Sequence, residues 1–203
     1  EHSCLVMGNE YTTLHGLPSP KYKRRLERMT DITWLDNGNP IFELLPVNDN
    51  YEDYVRSGYI NIIDWINIPE QFWLVGRVIE RIKTRIGKGI AIVVLQKARS
   101  KELAYGGDTT EHFADLYFTI DPYGKFGESR IKMGKVKDPK SGQKTSGRNW
   151  AFSIVDGGAN LSNIREVFMC DKCYGKGFSK VGFCKPCEGR GYRELDIPDE
   201  ELL

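Results

Sequence analysis

The sequence has no apolar run approaching the ~20 residues that a membrane span requires, and its 40% hydrophobic content is ordinary for a soluble protein. It has almost no net charge, with 29 Lys and Arg against 28 Asp and Glu. No global charge therefore argues for a nucleic acid or a membrane, and electrostatic recognition has to be local. The start, Glu1-His2-Ser3-Cys4-Leu5-Val6-Met7, lacks an initiator Met and the charged and apolar regions of a signal peptide. It passes almost at once into a strand-like run, so the expectation is a chain whose beginning lies further upstream. No internal repeat of domain size is visible, and His2, His15 and His112 all stand far from Cys170, Cys173, Cys184 and Cys187. At 203 residues there is room for one good-sized domain and a small appendage.

The stretch that organises the rest is Gly58-Tyr59-Ile60-Asn61-Ile62-Ile63-Asp64-Trp65. A short apolar run of this kind predicts a strand buried on both faces of a parallel sheet. Asp64 ends it, at the position where ligands of open α/β sheets bind. Downstream, Phe72, Val75, Ile79, Ile82 and Ile86 recur at helical spacing behind Pro69-Glu70, and Gly87 is a natural stop. The run Ile90-Ala91-Ile92-Val93-Val94-Leu95 predicts a second buried strand. Strand, helix and strand form a right-handed crossover with parallel strands. Cys4-Leu5-Val6-Met7 and residues 41–45 predict further strands. Ser19-Pro20 opens a basic helix over residues 21–29, with Ser19 as its N-cap. Residues 116–120 predict another strand, residues 129–136 and 150–155 a hairpin, and residues 160–167 a connector.

Four of the five cysteines fall within eighteen residues as two matched halves. Cys170-Asp-Lys-Cys173-Tyr-Gly175-Lys-Gly177 is echoed by Cys184-Lys-Pro-Cys187-Glu-Gly189-Arg-Gly191. Each half offers two thiolates on a tight turn whose glycines supply positive φ. Four thiolates so spaced suit a closed tetrahedral zinc site with no open position for chemistry. In a chain without an export signal the pattern favours metal over disulfides and implies a reducing, cytoplasmic setting. Cys4, in an apolar strand, reads as core. The repeats resemble the C-x-x-C-x-G-x-G motif of the DnaJ cysteine-rich domain over about twenty-five residues. That domain carries four repeats and two zinc ions; this chain has two repeats, can close one site, and has no J-domain signature.

Three strand ends carry residues suited to phosphoryl transfer, which needs charge stabilisation and a positioned nucleophile more than covalent help. Glu10 and Asp64 can share one crevice, one orienting water and the other holding a metal's water shell. Gln96, ending a third strand, can report phosphate state to the loop behind it. Lys135 and Lys137 alternate on a strand, as cations presented to a neighbouring subunit would. Singly, each also fits a plain role as a cap, strand terminator or solvated side chain.

In this order the motifs resemble the RecA-like ATPase core of DnaB-type replicative helicases and RecA/RadA-type recombinases, from about Cys4 to Val155. Leu5-Val6-Met7-Gly8-Asn9-Glu10 resembles the strand ending in the water-polarising Glu, and Tyr59 to Asp64 the Walker B strand. Val93-Val94-Leu95-Gln96 is similar to the strand ending in the γ-phosphate sensor. Gly106-Gly107-Asp108, Glu111 and Ala114-Asp115-Leu116 resemble the helicase segment after the DNA-binding loop. Lys135-Val-Lys137 resembles the pair of cations delivered to the next subunit, closer to the recombinase pattern than to the helicase one.

The phosphate-binding loop G-x-x-x-x-G-K-[ST] is absent, since Gly87-Lys88, Gly124-Lys125, Gly134-Lys135 and Gly175-Lys176 are each followed by the wrong residue. In the family it lies upstream of the Glu strand, so the chain as given is expected to bind ATP poorly.

The resemblance implies Mg-ATP in the complete protein, with magnesium at Asp64. It also implies a homo-oligomeric ring or filament on DNA, single-stranded above all, in a bacterial or phage-infected cell. Nucleic acid would meet the loops bearing Lys97, Arg99 and Lys101, and Lys140, Lys144 and Arg148. The expected architecture is α/β. A mostly parallel RecA-like core spans residues 1–160 and ends in an antiparallel hairpin. A Cys4 zinc knuckle follows over residues 161–195, and an acidic tail over 196–203. The expected activity is that of an ATP-dependent helicase or recombinase motor. The alternative is a non-catalytic module binding nucleic acid or protein on a degenerate scaffold.

Overall fold

The computed structural model describes residues 3–8, 10–11, 19–30, 32–37, 39–68, 71–98, 101–124, 127–140, 142, 144–180 and 182–194. Pro69, Glu70, Arg99 and the acidic tail lie outside them. The chain divides into two compact units, Glu1–Ala114 and Asp115–Leu203.

The first unit is built on four parallel strands: β1 (Cys4–Met7), β4 (Phe42–Leu45), β5 (Ile60–Ile63) and β6 (Ile90–Val93), in the order β4-β1-β5-β6. A two-residue ribbon, β2 (Leu35–Asp36) with β3 (Asn39–Pro40), stands between β1 and β4 in the chain. In-register pairing puts Leu5, Met7, Ile63, Ala91 and Val93 on one sheet face. Helix α2 (Val75–Arg85) packs there through Val75, Ile79 and Ile82, closing the main core with Val47, Tyr51 and Ile66. Helix α1 (Pro20–Arg28) lies by β4 on the opposite face, where Tyr22 and Trp34 meet Phe42 edge-on. Its N-cap is Ser19, whose hydroxyl accepts from the Tyr22 N–H at 3.2 Å. None of its side chains is buried, in keeping with its basic composition.

Two expectations need correction. Ile90 and Ile92 are not buried: β6 is an edge strand, and these side chains with Val94 are 57, 49 and 41% exposed. An apolar run does not distinguish a central strand from an edge strand whose second face is bare. Phe72 does not join the buried helical face. It sits in a 3-10 turn (Phe72–Leu74) that precedes α2, about half exposed beside Trp73.

The central strand also holds a polar residue at its heart. Asn61 is wholly buried; its Oδ1 accepts from the Arg56 N–H at 2.8 Å, and its Nδ2 faces the carbonyls of Arg56, Tyr59 and Ile90 at 3.0 to 3.3 Å. A buried amide is tolerated because every hydrogen-bonding group it brings is answered.

The chain leaves the first unit through helix α3 (Thr109–His112). The second unit is an antiparallel sheet of β7 (Leu116–Tyr123), β8 (Glu128–Val136), β9 (Asn149–Val155), β10 (Asn160–Met169) and, beyond the short pair β11 (Phe178–Ser179) and β12 (Gly182–Phe183), β13 (Tyr192–Arg193). Its order is β13-β10-β9-β8-β7. The expected hairpin is β8 and β9, paired in register from Glu128–Ser153 to Lys132–Asn149. Residues 160–167, read as a connector, are instead most of β10, the longest strand; their mixed polar pattern hides it. Tyr123, Ala151 and Val167 form the core with Tyr192 against them. Among the described residues no helix is long and apolar enough to cross a membrane.

Candidate functional site

In the first unit the chain leaves β1 for β4 on one side, then crosses to β5 and β6 on the other. The connections from the carboxyl ends of β1 and β5 therefore diverge, and a crevice opens between them. This is the switch point at which open parallel sheets take their ligands. Asp64 is the first residue past β5, level with Gly8 past β1: its N–H donates to the Met7 carbonyl at 2.9 Å. The approach is close enough that a Cβ on Gly8 would collide with the Asp64 carbonyl oxygen. Glu10 lies two residues further along, and its Oε1 accepts from the Trp65 indole N–H at 3.4 Å. Burial first, and then the Glu10 carboxylate, push the Asp64 carboxyl above its ordinary value. The crevice thus places two like charges near each other, one partly withdrawn from water. A hard divalent cation resolves that conflict, and carboxylate oxygens are the donors it takes.

The wall past Asp64 is held by a residue the sequence reading passed over. Tyr51 is buried; its hydroxyl faces the carbonyls of Asn48 at 3.0 Å and Trp65 at 3.3 Å and accepts from the Asn67 N–H at 3.4 Å. Its signal was an aromatic with a polar tip in the polar segment that leads into the central strand, nine residues before Ile60.

Gln96 is exposed beyond β6, and its carbonyl accepts from the Tyr105 N–H at 2.9 Å, closing the loop between them. Within that loop Lys97 Nζ donates to the Lys101 carbonyl at 2.8 Å. Tyr105 is half exposed and lies 6.4 Å from the Phe72 ring, itself 5.3 Å from Trp73. Three solvent-facing aromatics therefore adjoin the loop that carries Lys97 and Lys101. Arg99 lies outside the described residues.

The remaining candidates belong to the second unit. Lys135 faces Tyr117 across the β7–β8 pair, half-buried. Lys137 is exposed, its Nζ 3.2 Å from Asp115 Oδ1. Lys140 lines an open depression of about 560 Å³ with Trp150 at its wall, and Lys144 is exposed. Arg148 does not project as a solitary cation. Its guanidinium makes two 2.6 Å bonds to the Glu166 carboxylate and lies over the Trp150 ring.

The cysteine module is the most completely built site. All four sulfurs are buried, none is in a disulfide, and their ligand atoms lie within 4.8 Å of one another. Cys170 to Cys184 is 3.8 Å and Cys173 to Cys187 is 3.6 Å. Tetrahedral zinc–sulfur bonds of about 2.3 Å require sulfur–sulfur edges of about 3.8 Å, so the cluster can hold a metal ion of that kind. Burial pushes the Cys184 thiol up to about 12, while the Lys172 N–H leads the groups that bring Cys170 down to about 7. A bound cation supplies the positive charge that four buried thiolates need.

Contacts in one half recur in the other. Gly177 N–H donates to Cys173 Sγ and Gly191 N–H to Cys187 Sγ, both at 3.3 Å. Cys170 N–H donates to the Gly191 carbonyl and Cys184 N–H to the Gly177 carbonyl, both at 2.9 Å. A Cβ on Gly177 would strike the Gly189 carbonyl, and one on Gly191 the Gly175 carbonyl. The glycines are therefore required by a close backbone approach as well as by positive φ.

No family model and no curated protein sequence matches the chain. Among solved structures it is similar to the RadB recombinase, at TM-score 0.48 and 14% identity over 81% of this chain and 80% of that one. It is also similar to the KaiC-like protein PH0186 from Pyrococcus horikoshii OT3, at TM-score 0.48 and 13% identity over 81% and 76% of the two chains.

Proposed function

We propose that the chain belongs to a RecA-like, DNA-directed ATPase of the helicase or recombinase type. The observation that carries this reading is the convergence of Glu10 and Asp64 at the switch point of a parallel sheet, with Asp64 driven toward its protonated form by burial and by Glu10. In this reading Asp64 holds the water shell of a magnesium ion. Glu10 orients the attacking water. Gln96 couples the crevice to the loop bearing Lys97, Arg99 and Lys101. Magnesium would supply charge neutralisation at the phosphates. The 203 residues contain no G-x-x-x-x-G-K-[ST] loop, so the reading requires a phosphate-binding loop N-terminal to Cys4. Lys135 and Lys137 would serve a neighbouring subunit's nucleotide. Lys140 and Lys144, both exposed, would meet the DNA backbone. The cysteine cluster would hold one zinc ion in a purely structural role.

The test has two parts. In the 203-residue chain, Mn²⁺ titration followed by electron paramagnetic resonance should show a site that Asp64→Asn removes. In a chain extended upstream by a phosphate-binding loop, the same substitution should abolish DNA-stimulated ATP turnover while leaving the far-UV spectrum unchanged; undiminished turnover would rule out the metal role.

The absence of the loop motif favours a second reading, a non-catalytic nucleic-acid- or protein-binding module on this scaffold. It predicts an extended chain that binds its partner normally and hydrolyses nothing.

A further inference from the structure

The two halves of the cysteine module are built alike but used differently. The residue directly after each half's last glycine pairs with the residue directly before the other half's first cysteine: Tyr192 with Met169, and Phe178 with Phe183. The second half spends these positions on the protein itself. Tyr192 is half-buried beneath the Arg130 guanidinium, 4.0 Å from its ring centroid, and its carbonyl accepts from the Tyr123 hydroxyl at 3.2 Å. Arg190, two residues earlier, packs beside Gly124 and pairs with Glu188 at 2.7 Å. The equivalent positions in the first half are Lys176 and Phe178, and both face solvent.

That exposed half carries a particular chemistry. Phe178 and Phe183 stack at 5.0 Å and 31°, and both are more than half exposed. Tyr174 is 75% exposed and held at φ 50°. Its counterpart in the other half is Glu188, at φ 51°. Lysines flank both stacked rings two residues away, Lys176 and Lys180 around Phe178 and Lys185 after Phe183. Among the described residues no carboxylate lies within ion-pair distance of these three lysines. The two acids between Cys170 and Gly191 are engaged elsewhere, Asp171 with Lys172 and Arg193, and Glu188 with Arg190.

We infer that this face binds single-stranded nucleic acid, with bases stacking on Tyr174 and the Phe178–Phe183 pair and phosphates meeting Lys176, Lys180 and Lys185. Exposed flat rings interleaved with exposed lysines suit a flexible polyanion with aromatic bases. An apolar peptide would use the rings but leave the lysines without partners. The strand is held without sequence readout, because every base offers a π-face. The inference stands on the cysteine module alone and does not rest on the nucleotide crevice.

The test uses the full chain with its metal bound and fluorescein-labelled dT12 and U12, read by fluorescence anisotropy across a salt series. Wild type should bind one or both strands, more weakly as salt rises. Phe178→Ala should weaken binding about tenfold, in line with one lost base stack. The double variant Lys176→Glu with Lys180→Glu, whose side chains are exposed and ligate nothing, should weaken it at least as much and flatten the salt dependence. Metal content, measured on every protein, confirms that the module is intact. Lys88→Glu, a charge reversal at an exposed lysine outside the module, should bind like wild type, which ties the effect to this face. Undiminished binding by the metal-loaded lysine variant would overturn it. So would a wild type that ignores both strands yet captures an unstructured apolar peptide.

Discussion

Asn61 offers the sharpest check on how the central strand is assembled. Replacing it with Ala removes an amide that accepts one backbone N–H and faces three carbonyls. The losses are unequal. The Tyr59 carbonyl also accepts from the Ile90 N–H, and the Arg56 carbonyl from the Tyr59 N–H. The Arg56 N–H is the group left without a protein partner. A stranded donor of this kind costs about 1–3 kcal/mol, and each hydrogen bond lost in exchange with water about 0.5–1.5 kcal/mol. The Ala variant should therefore be about 2–4 kcal/mol less stable.

Urea unfolding followed by tryptophan fluorescence suits the measurement, because Trp34, Trp65 and Trp73 all lie in the first unit. Asn61→Asp refines it. The carboxylate keeps an acceptor for Arg56 but turns a second negative oxygen toward carbonyls, so its folded-state pKa should be raised. Stability is then lost as pH rises through that value and regained on acidification. An Ala variant within about 0.5 kcal/mol of wild type, like a control at exposed Asn48, would refute the account.

The Asp64 carboxyl, raised first by burial and then by Glu10, binds its proton more tightly in the folded chain. Its contribution to stability is present at acid pH and lost as pH rises through the raised value, so metal-free Asp64→Asn should be more stable than wild type near neutrality. A pH series of urea midpoints that leaves the two proteins equal would contradict this. Metal analysis should find one zinc ion per chain, and Cys184→Ser should abolish it; no zinc, or two, would overturn the single-site assignment. Gly177→Ala should weaken metal retention against a chelator far more than Gly182→Ala. Both have positive φ, but only the first places a Cβ against a carbonyl.

Local patterns carried much of the architecture. The β1, β5 and β6 runs, the Ser19 cap and the Gly87 stop lie where their chemistry predicts, because each acts through neighbours in sequence. The cysteine site was legible for the same reason: its ligands come as two short repeats. Relations between distant segments were not legible. Whether Ile90 and Ile92 would be central or peripheral depends on which strand lies beside them, and hydrophobicity does not encode that. Arg148 looked like one more cation in a basic loop, because Glu166, which clasps it, is eighteen residues away on another strand. Tyr51 and Asn61 escaped notice because a buried polar group declares itself only through its partners.

The bare flank of β6 bears on how the protein behaves in a tube. The face with Ile90, Ile92 and Val94 is exposed and apolar, next to a row of backbone donors and acceptors that no strand in the described chain takes up. Edges of this kind template the addition of foreign strands, and natural sequences usually guard them with a charge. None is present between Ile90 and Leu95. Purified chain should accordingly clump as its concentration rises, faster on warming, and light scattering will report it. A single gatekeeper, Ile92→Lys, should suppress the clumping at little cost to the fold, since the side chain it replaces already stands half in water.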